Sequence, residues 1–189
     1  MTQSVHTVKF TYEDYLLFPE DGRRHELIDG EHYVTPSPIT QHQKISGSLL
    51  VSLWTYVQQT KAGHVLAAPM DVILSDFDVV QPDLLFISKD RAAILTEKNI
   101  QGAPDLLVEI LSTSTRKTDE IIKRKLYEQH RVSEYWIIDP ELETVKVYRL
   151  SAVNTYERVE ELSLEADNTL TTPLLPNWQF RLKQLFEAS

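Results

Sequence analysis

The stretch Asp105-Leu-Leu-Val-Glu109-Ile-Leu-Ser-Thr-Ser-Thr-Arg116-Lys-Thr-Asp119-Glu-Ile-Ile-Lys123-Arg-Lys-Leu-Tyr127 decides how the rest of the chain is read. Leu106, Leu107, Val108, Ile110 and Leu111 make a short apolar run without alternation, the pattern of a strand buried on both faces. Glu109 lies inside that run, and a carboxylate there is costly unless something pairs with it. Ser112 to Thr115 supply a hydroxyl-rich turn. Asp119, Lys123 and Tyr127 then follow at i, i+4 spacing, on one face of a helix expected over residues 117–130. An acid on a strand, a tight turn and a lysine early in the next helix can meet at one point.

Upstream, Gln81-Pro82-Asp83-Leu-Leu-Phe-Ile87 reads as a second buried strand. Pro82 fits only at a strand start or edge, which places Asp83 at the strand's head, where a turn-capping role competes with a chemical one. His64 to Ala68 and Met70 to Leu74 read as strands, and residues 89–101 as a short helix and loop. Ile45, Leu49, Leu50, Leu53, Trp54 and Val57 keep helical spacing, so residues 41–60 form an amphipathic helix. His42, in its first turn, reads as a capping or surface residue. Asp29-Gly30 marks a hairpin within residues 23–34, with Glu26 on its first strand. Taken alone, Glu26 reads as a surface acid balancing Arg23 or Arg24. Thr11 can cap a short helix from Tyr12 to Leu17.

Downstream, Glu134 to Asp139 and Thr144 to Tyr148 form an antiparallel pair through a turn at residues 140–143. Residues 156–164 and 169–175 read as edge strands, and residues 180–186 as a closing helix. With no internal repeat and no linker, the chain is expected to be one α/β domain over residues 1–189.

Composition narrows the chemistry. There is no cysteine, which excludes disulfides, thiolate metal sites and cysteine nucleophiles. The formal net charge of -9 weighs against broad, non-specific nucleic-acid binding. Locally, however, Arg116, Lys117, Lys123, Arg124 and Lys125 outnumber Asp119 and Glu120 beside the turn. Residues 1–12 lack the apolar core of a signal peptide, and no apolar run is long enough for a membrane span. A cytoplasmic protein without membrane attachment is expected.

Asp83, Glu109 and Lys123 carry the chemistry. Two carboxylates at matching ends of neighbouring strands can hold a hard divalent cation, since Mg²⁺ takes one or two protein carboxylates and leaves its other positions to water and phosphate. A lysine beside them can stabilise the charge that develops on a phosphoryl group. Hydrolysis of a phosphodiester fits this set. The competing reading is a structural ion pair between Glu109 and Lys123.

The ordered series Glu26-Leu-Ile-Asp-Gly-Glu31, His42, Gln81-Pro-Asp83, Val108-Glu-Ile-Leu-Ser112 with Ser114 and Thr115, Asp119 with Lys123 and Tyr127, and Glu134-Tyr-Trp-Ile-Ile-Asp-Pro140 resembles the PD-(D/E)xK nuclease superfamily. Within it, the series is similar to a bacterial family of restriction-endonuclease-like proteins. The resemblance implies a restriction-endonuclease-like core: a mixed, largely antiparallel sheet flanked by helices. It implies an endonuclease using Mg²⁺, with Mn²⁺ as an alternative, acting on DNA. Carried over by position, Asp83 and Glu109 are metal ligands, the backbone carbonyl of Ile110 is a further ligand, and Glu26 is an accessory acid. The superfamily lysine, two residues after the acid, is Leu111 here, so its charge falls to Lys123 on the next helix, with Lys125 as the substitute candidate. A homodimer would serve cleavage of both strands. Two alternatives remain open: a catalytically silent nuclease-fold module binding nucleic acid or protein, and an acidic protein that associates through its hydrophobic C-terminal strands.

Overall fold

The computed structural model describes residues 8–187; residues 1–7, the start of the segment read above for a leader, lie outside it. Along the chain run α1 (Tyr12–Tyr15), β1 (Arg24–Ile28), β2 (Glu31–Thr35), α2 (Thr40–Thr60), β3 (Gly63–Ala67), β4 (Val72–Ser75), β5 (Asp78–Val80) and β6 (Leu84–Ser88). A 3-10 helix (Lys89–Ile94), β7 (Ile100–Gln101) and β8 (Leu106–Ile110) follow. A π-helical turn (Thr118–Lys123) leads into α3 (Arg124–Gln129), then β9 (Glu134–Asp139), β10 (Thr144–Leu150), β11 (Tyr156–Ser163), β12 (Thr169–Thr171), β13 (Gln179–Arg181) and α4 (Leu182–Phe186).

The expected sheet is present as two. A six-stranded sheet has the order β11-β10-β9-β8-β6-β3, and a five-stranded sheet the order β2-β1-β5-β4-β7. Pairing is antiparallel throughout except for β8 with β9 and β4 with β7. Strand β8 is near the centre of the larger sheet, and both of its faces are covered. Leu106, Val108 and Ile110 pack with the buried stripe of α2, Ile45, Leu49, Leu53 and Val57. Leu107 and Leu111 face the other way, onto Leu126, Tyr127 and Tyr135, and onto Ile28, Val72 and Val80 of the smaller sheet. This two-sided burial is why the run carries no polar alternation.

Register places the acids. Strand β6 pairs antiparallel with β8 as Leu84 with Val108, so Asp83, just before β6, comes beside Glu109, near the end of β8. The hairpin of β1 and β2 turns at Asp29 (φ 51°) and Gly30 (φ 72°), the pair of positive φ values that Asp-Gly tolerates. That turn aligns Glu26 opposite Tyr33 and sends Arg24 and Glu26 to one side of the strand.

Several expected elements shift. Helix α1 ends at Tyr15, and the helix after the hydroxyl turn opens with the π-helical segment. Residues 169–171 pair with an unanticipated strand, β13, in a separate hairpin, and the closing helix starts at Leu182. The apolar C-terminal side chains, including Leu170, Leu175, Trp178, Phe180 and Leu185, are buried against α2 and β8. These side chains are therefore spent on the core, whereas β11, at the edge of the large sheet, stays largely exposed. Among the described residues, no helix is long and apolar enough to cross a membrane.

Candidate active site

At the end of the large sheet where β8 stops, a cleft of about 990 Å³, counting its open mouth, runs between three segments: residues 35–41, residues 111–115 and the Pro140–Glu141 turn. Glu26, Asp83, Glu109, Asp119 and Lys123 all line it. Each is only 2% to 4% exposed, so the group forms the floor and the loops form the walls. The three residues singled out as carrying chemistry, and the proposed accessory acid, thus share one hollow.

Asp83 is surrounded by donors. Arg24 donates to Oδ1 at 2.7 Å, while His42 Nε2 and the Ile110 backbone N–H reach Oδ2 at 3.0 and 2.8 Å. Burial pushes the Asp83 carboxyl up, but His42, Arg24 and the Ile110 N–H together outweigh it and hold the group below the usual aspartate value. Asp83 is therefore an anion at neutral pH.

Glu109 lives differently. Lys123 Nζ and the Tyr127 hydroxyl both donate to its Oε1, at 2.9 and 2.8 Å. Lys123 also contacts Glu26 at 2.8 Å and Asp119 at 3.6 Å, so one amine serves three acids. Burial pushes Glu109 up to about 8, the Lys123 charge pulls against this, and the acids Asp119, Asp83 and Glu26 add to the rise. Asp119 rises to about 6 for the same leading reason, burial. The Lys123 amine, penalised by burial but attracted by Glu109, Glu26 and Asp119, is held well above the ordinary lysine value.

Two residues read as peripheral belong to the site. Glu26 is no surface acid: besides Lys123 it accepts the Gln81 backbone N–H at 2.7 Å, tying β1 to the segment that carries Asp83. His42 is no surface histidine: it is buried and bonded to Asp83. Arg24, considered in the sequence only as a neighbour of Glu26, is the closest cation to Asp83; its i, i+2 relation to Glu26 on one strand was the available signal. Lys125 is exposed and does not line the cleft.

The basic stretch around residues 113–125 is only partly free after folding, with Lys117 and Lys125 exposed. Arg116 is engaged by Asp139 and Glu141, Lys123 is buried, and Arg124 lies over the Tyr148 ring. Nor do all the motif pieces reach the cleft. Glu134, at the opposite end of β9, accepts from Trp136, Arg149 and Thr172 and closes the far end of the core.

Among the described residues, no three His, Asp or Glu side chains gather as a complete metal cage. The donor set nevertheless suits a hard cation that keeps much of its water. A carboxylate has about four lone-pair sites. Asp83 uses two on Oδ2 and one on Oδ1, and every described donor to Glu109 arrives at Oε1. Lone pairs on Asp83 Oδ1 and Glu109 Oε2 remain, and oxygen donors of this number match Mg²⁺ or Mn²⁺. The floor also carries four carboxylates against the two cations Arg24 and Lys123, so further positive charge is favoured there.

The comparisons agree with this architecture. A solved structure described as a putative nuclease belonging to DUF820, from Anabaena variabilis, superposes with a TM-score of 0.79 at 23% identity, covering 94% of this chain and 98% of that one. The shared fold is the restriction-endonuclease-like α/β kind. This chain belongs to the Uma2 family, described as "Putative restriction endonuclease", whose model matches residues 12–183. No curated protein matches the chain.

Proposed function

We propose that the protein is a metal-dependent endonuclease that hydrolyses DNA phosphodiester bonds in this cleft. The observation that carries the reading is the convergence of Asp83, Glu109 and Lys123 on one solvent-connected floor. Asp83 and Glu109, with the Ile110 carbonyl, would hold Mg²⁺ or Mn²⁺. When bound, such an ion supplies Lewis-acid polarisation of the phosphoryl oxygen and lowers the pKa of water. The protein's own groups do the rest. Arg24 and His42 keep Asp83 charged and oriented. Tyr127 pins Glu109 Oε1, which leaves Oε2 without a described donor. Lys123 presents an amine that stays protonated, able to donate to the charge developing on phosphate. Glu26, the accessory acid of this reading, holds that amine in place.

The test is cleavage of plasmid DNA with Mg²⁺ or Mn²⁺ by the wild type, Asp83→Asn and Glu109→Gln. Each variant is expected to lose cleavage by at least about 100-fold while remaining folded by circular dichroism. Cutting that persists in EDTA, or in both variants, ends the reading.

One observation favours a second reading. The Lys123–Glu109 contact at 2.9 Å is the structural ion pair that a catalytically silent nucleic-acid- or protein-binding module would keep. In that case calorimetry finds no Mg²⁺ or Mn²⁺ binding that depends on Glu109.

A further inference from the structure

We propose that the cleft takes an unpaired, extended nucleic-acid strand, and that a fully base-paired duplex is the poorer substrate; this rests on the nuclease reading above. The first observation is depth. The floor acids and Lys123 are nearly sealed; the cleft reaches them between the walls at residues 35–41, 111–115 and Pro140–Glu141, and a smaller hollow beside Tyr33 and Thr118 reaches Glu26 and Asp119. A duplex presents its phosphates on a stiff cylinder that resists bending over short distances. A single strand lacks that stiffness and can thread one phosphate between the walls.

The second observation is that the walls are braced. Pro36 and Pro38 fix the backbone of one wall. In the other, the Ser112 hydroxyl is bonded to those of Ser114 and Thr115 at 3.0 Å. Asp139, at the root of the third, is gripped by Arg116. Little in these contacts favours opening far enough for a helix.

The third is charge. Tight duplex binding needs a row of cations on successive phosphates. Both cations that line the cleft, Arg24 and Lys123, are held by floor acids, and Arg116 near the mouth is held by Asp139 and Glu141. A net charge of -9 adds general repulsion that a long rigid polyanion feels more than a short flexible one.

The experiment compares one labelled DNA sequence as a single strand, as a perfect duplex and as a duplex with a central unpaired bulge. Binding is read by fluorescence anisotropy without divalent metal, and cleavage with Mn²⁺. The single strand is expected to bind and be cut at least about tenfold better than the duplex, and the bulged duplex to be cut within its unpaired segment. Ser114→Trp, which fills the mouth, should abolish the single-strand preference. A perfect duplex bound and cut as well as the single strand, or a preference untouched by Ser114→Trp, overturns the strand assignment and leaves the nuclease standing. Single-strand binding that is lost in Ser114→Trp, in a protein that cuts nothing, supports the strand assignment and ends the nuclease.

Discussion

The two halves of the cleft floor are built on opposite electrostatic plans. Around Asp83 the donors outnumber the acid: a guanidinium, an imidazole and a backbone N–H converge on one carboxylate. Around Glu109 the acids outnumber the cation: Glu26, Glu109 and Asp119 share the Lys123 amine. The first half is an anchor whose negative charge is already offset by the donors around it. The second has more negative charge than its surroundings offset, and meets the deficit with protons or with an added cation. The pairing of a settled carboxylate with an unsettled one gives the two halves opposite responses to pH.

The sharpest way to break the comparison is to remove its single shared cation. Lys123→Met leaves three buried carboxylates facing one another. Removing one partner of a buried ion pair typically costs about 3–5 kcal/mol, a large share of the stability of an ordinary domain. Urea unfolding at neutral pH should show a loss of that size. Wild-type stability in Lys123→Met would mean that the three acids are already neutral, and that the amine is not the element holding the half-site together.

A smaller effect separates the halves by pH. Asp83 sits below its unfolded value of 3.8, so its contribution is fully present above that value and is lost as pH falls through the lower, folded one. Glu109 is raised from 4.5 to about 8, so over that interval the native state holds a proton that the unfolded state has released. Stability from this half therefore declines as pH rises from 4.5 toward about 8. Thermal melts across pH should find the acid-side loss flattened in Asp83→Asn and the decline toward alkaline pH flattened in Glu109→Gln. Differences of about 1–3 kcal/mol, or roughly 2–4 °C for each kcal/mol, are expected. Flattening on the same side in both variants would show that the two carboxylates titrate as one unit.

The same contrast explains what could be read from the chain. Glu109 was legible because a charge inside an apolar run is a local contradiction, and its partner Lys123 because i, i+4 spacing survives even where the helix opens as a π turn. Asp83 was legible from its proline and its place at a strand head. Its partners were not: Arg24 lies 59 residues away and His42 lies 41 away, and nothing local in either segment points to Asp83. The basic stretch could be read only in outline, because sequence counts charges without showing that Arg116 and Lys123 are paired while Lys117 and Lys125 stay exposed. The second sheet was missed because its strands, β5 and β7 above all, are too short to carry a period. β13 was absorbed into the closing helix because its three residues run directly into Leu182.

The smallest expected effect tests whether position, rather than charge alone, defines the amine. Lys125 is two residues beyond Lys123, which at about 100° per residue turns it most of the way to the opposite side of the helix, and it is exposed. Its charge is solvated and makes no described ion pair, so Lys125→Ala should change stability by no more than about 0.5 kcal/mol. Metal-dependent cleavage should be unchanged, because an amine on the outer face cannot reach a phosphate held between the walls. If Lys125→Ala instead lost cleavage at intact stability, the reacting phosphate would have to lie on the outer face of α3. The buried cluster of Lys123 with its three acids would then be a device of the fold alone, and the difference between the two carboxylates would be a matter of stability without chemistry.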